Sequence, residues 1–269
     1  MGEKILFVNS EIYPYLPGSH IADIGRFLPQ GIQERRKEIR SFMPRYGCIN
    51  ERKNQLHEVI RLSGMNIIIN DVDRPLVIKV ASISSARIQV YFIDNEDYFK
   101  RKQIDRDEDG TFFSDNGERA VFFARGVLET VKKLRWAPDI IHCQGWITQI
   151  LPLYLKKIYK DDPIFSSSKI VLSLYDDTPE AFRPDLAALA KFGDITEEDM
   201  PLLVNEATGI NLAKTAAQYS DGIIIGSENV DEGLVEYCKG LSVPMLPYNG
   251  ESMADGTYID AYNNFYESL

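Results

Sequence analysis

The polar residues that could do chemistry sit directly after short apolar runs. Asn9-Ser10-Glu11 closes one such run, and Tyr15-Leu16-Pro17-Gly18-Ser19-His20 then opens a helix at about Ile21. Backbone N–H groups at a helix start can hold an anion. One glycine and a proline make a poor phosphate cradle, however, so this segment reads as a structural turn. His142 lies at the end of a second run and precedes Cys143-Gln144-Gly145-Trp146; inside a buried strand it reads as a satisfied core histidine rather than a general base. Tyr175-Asp176-Asp177 follows a third run, where carboxylates either cap a helix or bind ligand hydroxyls. Asp105, Asp107, Asp109 and Gly110 are spaced like the start of a calcium loop. Position twelve is Asn116, which cannot supply the closing bidentate carboxylate, so a solvated acidic loop is expected. There is no GxSxG, HExxH, P-loop or GxGxxG, and Cys48, Cys143 and Cys238 lack ligand spacing. No cofactor, metal site or local nucleophile–base pair is therefore expected.

The elements that would position these residues alternate between strand and helix. Lys4–Asn9 (KILFVN), Asp139–Cys143 (DIIHC), Lys169–Leu174 (KIVLSL) and Gly222–Gly226 (GIIIG) are short, β-branched and almost continuously apolar, as in strands buried on both faces of a parallel sheet. Between them, Ala120, Ala124, Val127, Val131 and Leu134 repeat at steps of four and three, and Leu203, Ala207, Ile210, Ala213 and Ala217 do the same. This alternation predicts a doubly wound, mostly parallel α/β sheet. From Leu56 to Asp94 the pattern changes to successive strands without helices, which predicts an antiparallel insertion. Pro244–Glu251 is turn-rich, Thr257–Leu269 reads as a closing helix, and no linker divides the chain, so one domain over 1–269 is expected.

The 269 residues carry 30 Lys+Arg against 40 Asp+Glu, a net charge of −10, and 44% are hydrophobic. Such a chain can bury a large core without disulfides. Its acidity argues against nucleic acid or an anionic membrane as a partner. No apolar stretch approaches the ~20 residues of a membrane span or the form of a signal peptide, and the odd, scattered cysteines suit a reducing compartment, so a cytoplasmic location is expected.

Taken as an ordered set, these segments resemble the N-terminal domain of bacterial glycogen synthases and plant starch synthases, retaining glucosyltransferases of the GT-B fold. The opening ILFVNSEIYPY, then IADIGRFLP and MPRYG, is similar to that family's strand, its LxDVxxxLP helix and its LPxYG. Asp115-Asn116-Gly117-Glu118-Arg119 with Phe122-Phe123 looks like DNxERFxFF, and Pro138-Asp139-Ile140-Ile141-His142 like PDVVH. Trp146, Pro152–Leu155, Lys214 and Asn249-Gly250 also fall in family positions.

The resemblance implies glucosyl transfer from ADP- or UDP-glucose to an α-1,4-glucan, with this domain on the acceptor side of the cleft. Departures from the pattern set a second expectation. The family's KTGGL, which meets nucleotide phosphates, reads Pro17-Gly18-Ser19-His20-Ile21, so the cation and a close-approach glycine are replaced. HxHDWH reads His142-Cys143-Gln144-Gly145-Trp146-Ile147, and the His-Asn of TVHN becomes Tyr175-Asp176. The family's second, nucleotide-sugar domain is expected to be absent. The resemblance and these departures together imply a degenerate domain, inactive or weak alone, with no catalytic residue assigned. Glu11, His20, Asp23, Tyr175, Asp176 and Asn249 are the residues expected to contact an α-glucan or nucleotide sugar. The alternatives are completion by a partner chain or homo-oligomer, or reuse of the crevice as a scaffold or for an unrelated small molecule.

Overall fold

The computed structural model describes residues 2–269. Its ten strands are β1 (Lys4–Asn9), β2 (Glu38–Pro44), β3 (His57–Glu58), β4 (Met65–Ile69), β5 (Val72–Ile83), β6 (Ile88–Asp94), β7 (Ile140–Gln144), β8 (Lys169–Leu174), β9 (Gly222–Ile225) and β10 (Met245–Leu246). They run in the order β10-β9-β8-β7-β1-β2-β6-β5-β3, with β4 paired to β5. Every pairing from β10 to β6 is parallel, while those of β5 with β6, β4 and β3 are antiparallel. The expected doubly wound sheet with an antiparallel addition around residues 56–94 is what the chain forms. β6 belongs to both parts, parallel to β2 on one side and antiparallel to β5 on the other.

Side chains alternate across the sheet because successive Cβ atoms on a strand point to opposite faces. Leu6 and Val8 join the larger core, under the helix α2 (Asn116–Leu134). Ile5 and Phe7 join the smaller one, under α1 (His20–Glu34) and the last helix. The other helices used below are α3 (Pro201–Asn205), α4 (Gly209–Gln218), α5 (Glu232–Lys239), α6 (Gly250–Asp255) and α7 (Tyr258–Glu267). The periodic stretch from Leu203 to Ala217 forms two helices rather than the single one expected. Thr208 caps α4 through Asn211 N, and Gly209 lies so close to Pro179 that an added Cβ would be 2.1 Å from its carbonyl oxygen, so backbone contact overrides the periodic pattern. The turn-rich segment before α6 also contains β10, which pairs with β9 through only two residues.

α7 closes the smaller core with Tyr258, Tyr262, Phe265 and Tyr266. The Tyr266 hydroxyl lies 2.7 Å from His142 Nδ1, and Ser173 Oγ lies 2.7 Å from Nε2. One ring nitrogen of a neutral imidazole donates and the other accepts, so both contacts are satisfied without charge. Burial lowers the His142 pKa to about 3, which keeps it neutral. His142 is therefore a structural histidine that ties α7 to β7 and β8. Tyr266→Phe should cost on the order of 1–3 kcal/mol by stranding a buried nitrogen, read as a lower urea midpoint; an unchanged midpoint would show that the hydroxyl holds nothing.

Candidate functional site

In a parallel sheet, polar chemistry collects where strands end and loops begin, because the strands themselves are sealed on both faces. Here that place is the rim formed by the carboxyl ends of β1, β7, β8 and β9. Its floor is a chain of buried polar side chains. Gln144 Nε2 donates to Asn9 Oδ1 at 2.7 Å, and the Tyr175 hydroxyl donates to Gln144 Oε1 at 2.9 Å. Tyr175 is thus buried, its hydroxyl committed to the floor and its ring packed against Gly226, where an added Cβ would come within 2.4 Å of it.

Above this floor the site is acidic. Glu11 follows β1, and the Ser19 hydroxyl, which also caps α1 by accepting from Ala22 N, donates to Glu11 Oε2 at 2.5 Å. Burial, with the nearby Asp105 charge adding to it, raises the Glu11 pKa against the lowering effect of that hydrogen bond. Asp177 follows β8. Its Oδ2 accepts from Trp146 N at 2.8 Å, while Oδ1 is shut off from solvent with no hydrogen-bond partner. Burial, reinforced by Glu11, pushes its pKa up to about 7. Among the described residues, no Lys or Arg pairs with Glu11 or Asp177. Gly145 makes the arrangement possible: at φ +91 it adopts a conformation that favours glycine, and a Cβ there would sit 2.1 Å from Ser10 Oγ and 3.2 Å from Asp177 Oδ2.

The other expected contact residues are spread more widely. His20 is exposed, its Nε2 3.0 Å from Gly226 O and its ring edge-on to Tyr175. Asp176 is exposed, and its N–H donates to Ser227 Oγ. Glu11, His20, Tyr175 and Asp176 are therefore linked through this one rim. Asp23 is exposed in the first turn of α1, where its charge is felt by Tyr258 of α7. Asn249 is exposed and caps α6, with Oδ1 accepting from Ser252 N. Neither side chain hydrogen-bonds to the rim residues, although Asp23 N donates to Ser19 O at 3.2 Å. Lys214 lies against the Tyr237 ring, between α4 and α5.

Beside the rim, a cavity of about 480 Å³ opens between β9, α5 and β10. Its walls combine Ile225, Val230, Met245 and Tyr248 with Glu228, Glu232 and the Lys239–Glu236 ion pair, and Ser227 joins it to Asp176. An apolar floor with a mixed-charge edge can take the face and hydroxyls of a polyol. The acidic loop at Asp105–Gly110 folds on itself, with Thr111 N donating to Asp107 and Asp109, and the Asn116 amide donating to Asp105 O.

Two features of the site could not be read from residue order. Asp177 stands next to the expected contact residue Asp176, yet its partner is a backbone N–H 31 positions away. Arg119 is fully buried, donating to Tyr98 O and Asn116 Oδ1, and it organises the loop that carries Asp105.

The Asp177 assignment sets a pH dependence. Its folded pKa lies above the value of about 3.9 for an unfolded aspartate, so its contribution to stability is fully present below that value and is lost as pH rises through 7. Asp177→Asn should therefore become more stable relative to the parent between pH 5 and pH 8, on the order of a few kcal/mol by denaturant titration. Parallel stability profiles would remove the assignment.

Comparison with known proteins places this geometry. The sequence profile of the family described as "Starch synthase catalytic domain" matches residues 4–242. The glycogen synthase of Chlorobium limicola is 37% identical over 220 residues, covering 81% of this chain and 44% of that protein. That of Chlorobium luteolum is 35% identical over 246 residues, covering 90% and 50%. The chain thus spans about half the length of these relatives. Among solved structures, the catalytic domain of starch synthase IV from Arabidopsis thaliana, bound to ADP and acarbose, superposes with a TM-score of 0.73 at 16% identity, over 92% of this chain and 51% of that one. That likeness establishes the shared fold.

Proposed function

We propose, from the premise that this chain belongs to the starch synthase and glycogen synthase family of glucosyltransferases, that its crevice binds a neutral α-glucan and is a poor or inactive glucosyl-transfer site by itself. The observation that carries this reading is the pair of sheltered carboxyls, Glu11 and Asp177, with no cation paired to either. Departure of a nucleoside diphosphate requires positive charge or aligned donors where negative charge develops. A rim holding Glu11, Asp105 and Asp177 opposes that charge instead. Hydroxyls of a glucan, by contrast, can donate to carboxylates and stack their apolar faces on aromatic walls, and this costs no charge burial.

In this reading the 269 residues act as one domain on the acceptor side of the cleft. Glu11 and Asp176 accept from sugar hydroxyls, His20 stands at the edge, and Asp177, its Oδ1 shut off from solvent, shapes the wall through Trp146 N. Tyr175 acts as wall. Asp23 and Asn249 contact only the outer part of a longer ligand. The glycogen synthases related to this chain and the ADP and acarbose of the plant structure are what make a nucleotide sugar and a glucan the ligands to compare.

Calorimetry of the chain with maltohexaose, ADP-glucose and UDP-glucose separates the outcomes. Saturable heat is expected with maltohexaose, weakened at least tenfold in Glu11→Gln, and little with either nucleotide sugar. Tighter binding of a nucleotide sugar than of maltohexaose would overturn the ligand assignment. Glucose incorporation into glycogen at an ordinary synthase rate by the purified chain would overturn the inactivity.

A further inference from the structure

The sheet has a second polar concavity, toward the opposite ends of its strands. β2 begins at Glu38, and Arg40, two residues on, lines a cavity of about 390 Å³ together with Arg61, Gln89, Tyr91 and Lys133. No carboxylate lines it. In a chain of net charge −10, three cations around one small cavity require a reason. Neighbouring cations are neutralised within the fold: Lys37 pairs with Glu3 and Glu267, and Lys132 with Asp162. Among the described residues, Arg40, Arg61 and Lys133 pair with no carboxylate. Arg87, on the adjoining concavity, is also unpaired; Glu38 lies there too, its carboxylate engaged by the Trp136 indole N–H at 2.5 Å.

Arg40 is held in place rather than left to wave in solvent. Its guanidinium carbon lies 5.1 Å from the Trp136 ring and 5.7 Å from the Tyr91 ring. Its Nη1 donates to the Tyr91 hydroxyl at 2.5 Å, which in turn donates to Gln89 Oε1 at 3.0 Å. That leaves the Gln89 amide N–H groups available. Arg40 Nε is buried without a partner, whereas Nη2 is neither buried nor hydrogen-bonded among the described residues and is the end of the fork open to an acceptor. A guanidinium fixed by aromatic faces matches the paired oxygens of a phosphoryl group, and Lys133 and Arg61 add point charge. The C-terminus of α2 brings a partial negative charge to the same place, which Lys133 in its last turn offsets.

We propose that this cleft binds a small phosphorylated molecule, with the phosphoryl group held by Arg40, Arg61 and Lys133. The confined cavity and the acidic remainder of the chain favour a single phosphoryl group over an extended polyanion. The phosphoryl group comes either from free phosphate or from a phosphate ester, and the choice of probe separates them.

The test uses the whole chain, labelled at its two tryptophan indoles, titrated with inorganic phosphate, glycerol 3-phosphate and, as the uncharged control, glycerol at matched ionic strength. Trp136 reports on the cleft and Trp146 on the crevice. A saturable shift of the Trp136 N–H resonance with a phosphate probe and not with glycerol is expected. The dissociation constant should rise at least tenfold in Arg61→Ala/Lys133→Ala, whose two side chains are exposed and leave the fold intact. Arg40→Lys, which keeps the charge and loses the fork, should also weaken binding. Tighter binding of glycerol 3-phosphate would identify the ester, and tighter binding of inorganic phosphate the free ion. The proposal falls if neither probe saturates, if Trp146 moves instead, if the double variant binds as the parent does, or if only heparin or an oligonucleotide binds.

Discussion

A carboxyl group taken out of water must find a cation, a set of donors or a proton, and among the described residues no Lys or Arg pairs with the carboxyls of Glu11 and Asp177 past the ends of β1 and β8. Glu11 has the Ser19 hydroxyl and Asp177 has one backbone N–H, each with its pKa raised by burial. The rest of the crevice follows from that scarcity. Gly145 must lack a side chain so that Ser10 and Asp177 can close together, and Tyr175 fills the space that Gly226 leaves open. Ser19 is placed to donate because it is also the cap of α1. On the proposed reading the crevice takes ligands that bring hydroxyls rather than negative charge, the reverse of what a diphosphate leaving group requires.

Much of the scaffold was legible because a strand covered on both faces leaves a continuous apolar run, and KILFVN, KIVLSL and GIII do so. Strands that lack that double cover were harder to find. β2 begins with Glu38 and Arg40 at its open end, and β10 is two half-buried residues. The break between α3 and α4 was hidden for a different reason: its apolar positions continue the helical repeat, and only the approach of Pro179 to Gly209 interrupts it. Periodicity records which side chains are buried, and it is silent on which backbones touch.

The site was legible in part for the same reason. Glu11 and Asp176 each stand two residues past the end of a strand, so the rule for parallel sheets locates them from order alone. Asp177 was read beside Asp176 as a carboxylate with two open uses, and what distinguishes it, Trp146 N, comes from a different loop. His142 was read as a core histidine from its place inside an apolar run, and its two partners, on β8 and α7, supply the hydrogen bonds that make such a position tolerable. Tyr175 sits where the family resemblance implied a ligand contact, and its burial follows from Gly226, 51 residues later.

The charges are divided rather than mixed. The parallel strands point their carboxyl ends at Glu11 and Asp177 and carry Arg40 near the amino end of β2. The two ends are separated by the length of a strand, roughly 20 Å, which exceeds the Debye length of about 8 Å at physiological salt, so the solvent-facing charges of one end are largely screened from the other. Each end therefore keeps its own electrostatic character. Under the two proposals, ligands rich in hydroxyls go to one end of the sheet and a phosphoryl group to the other.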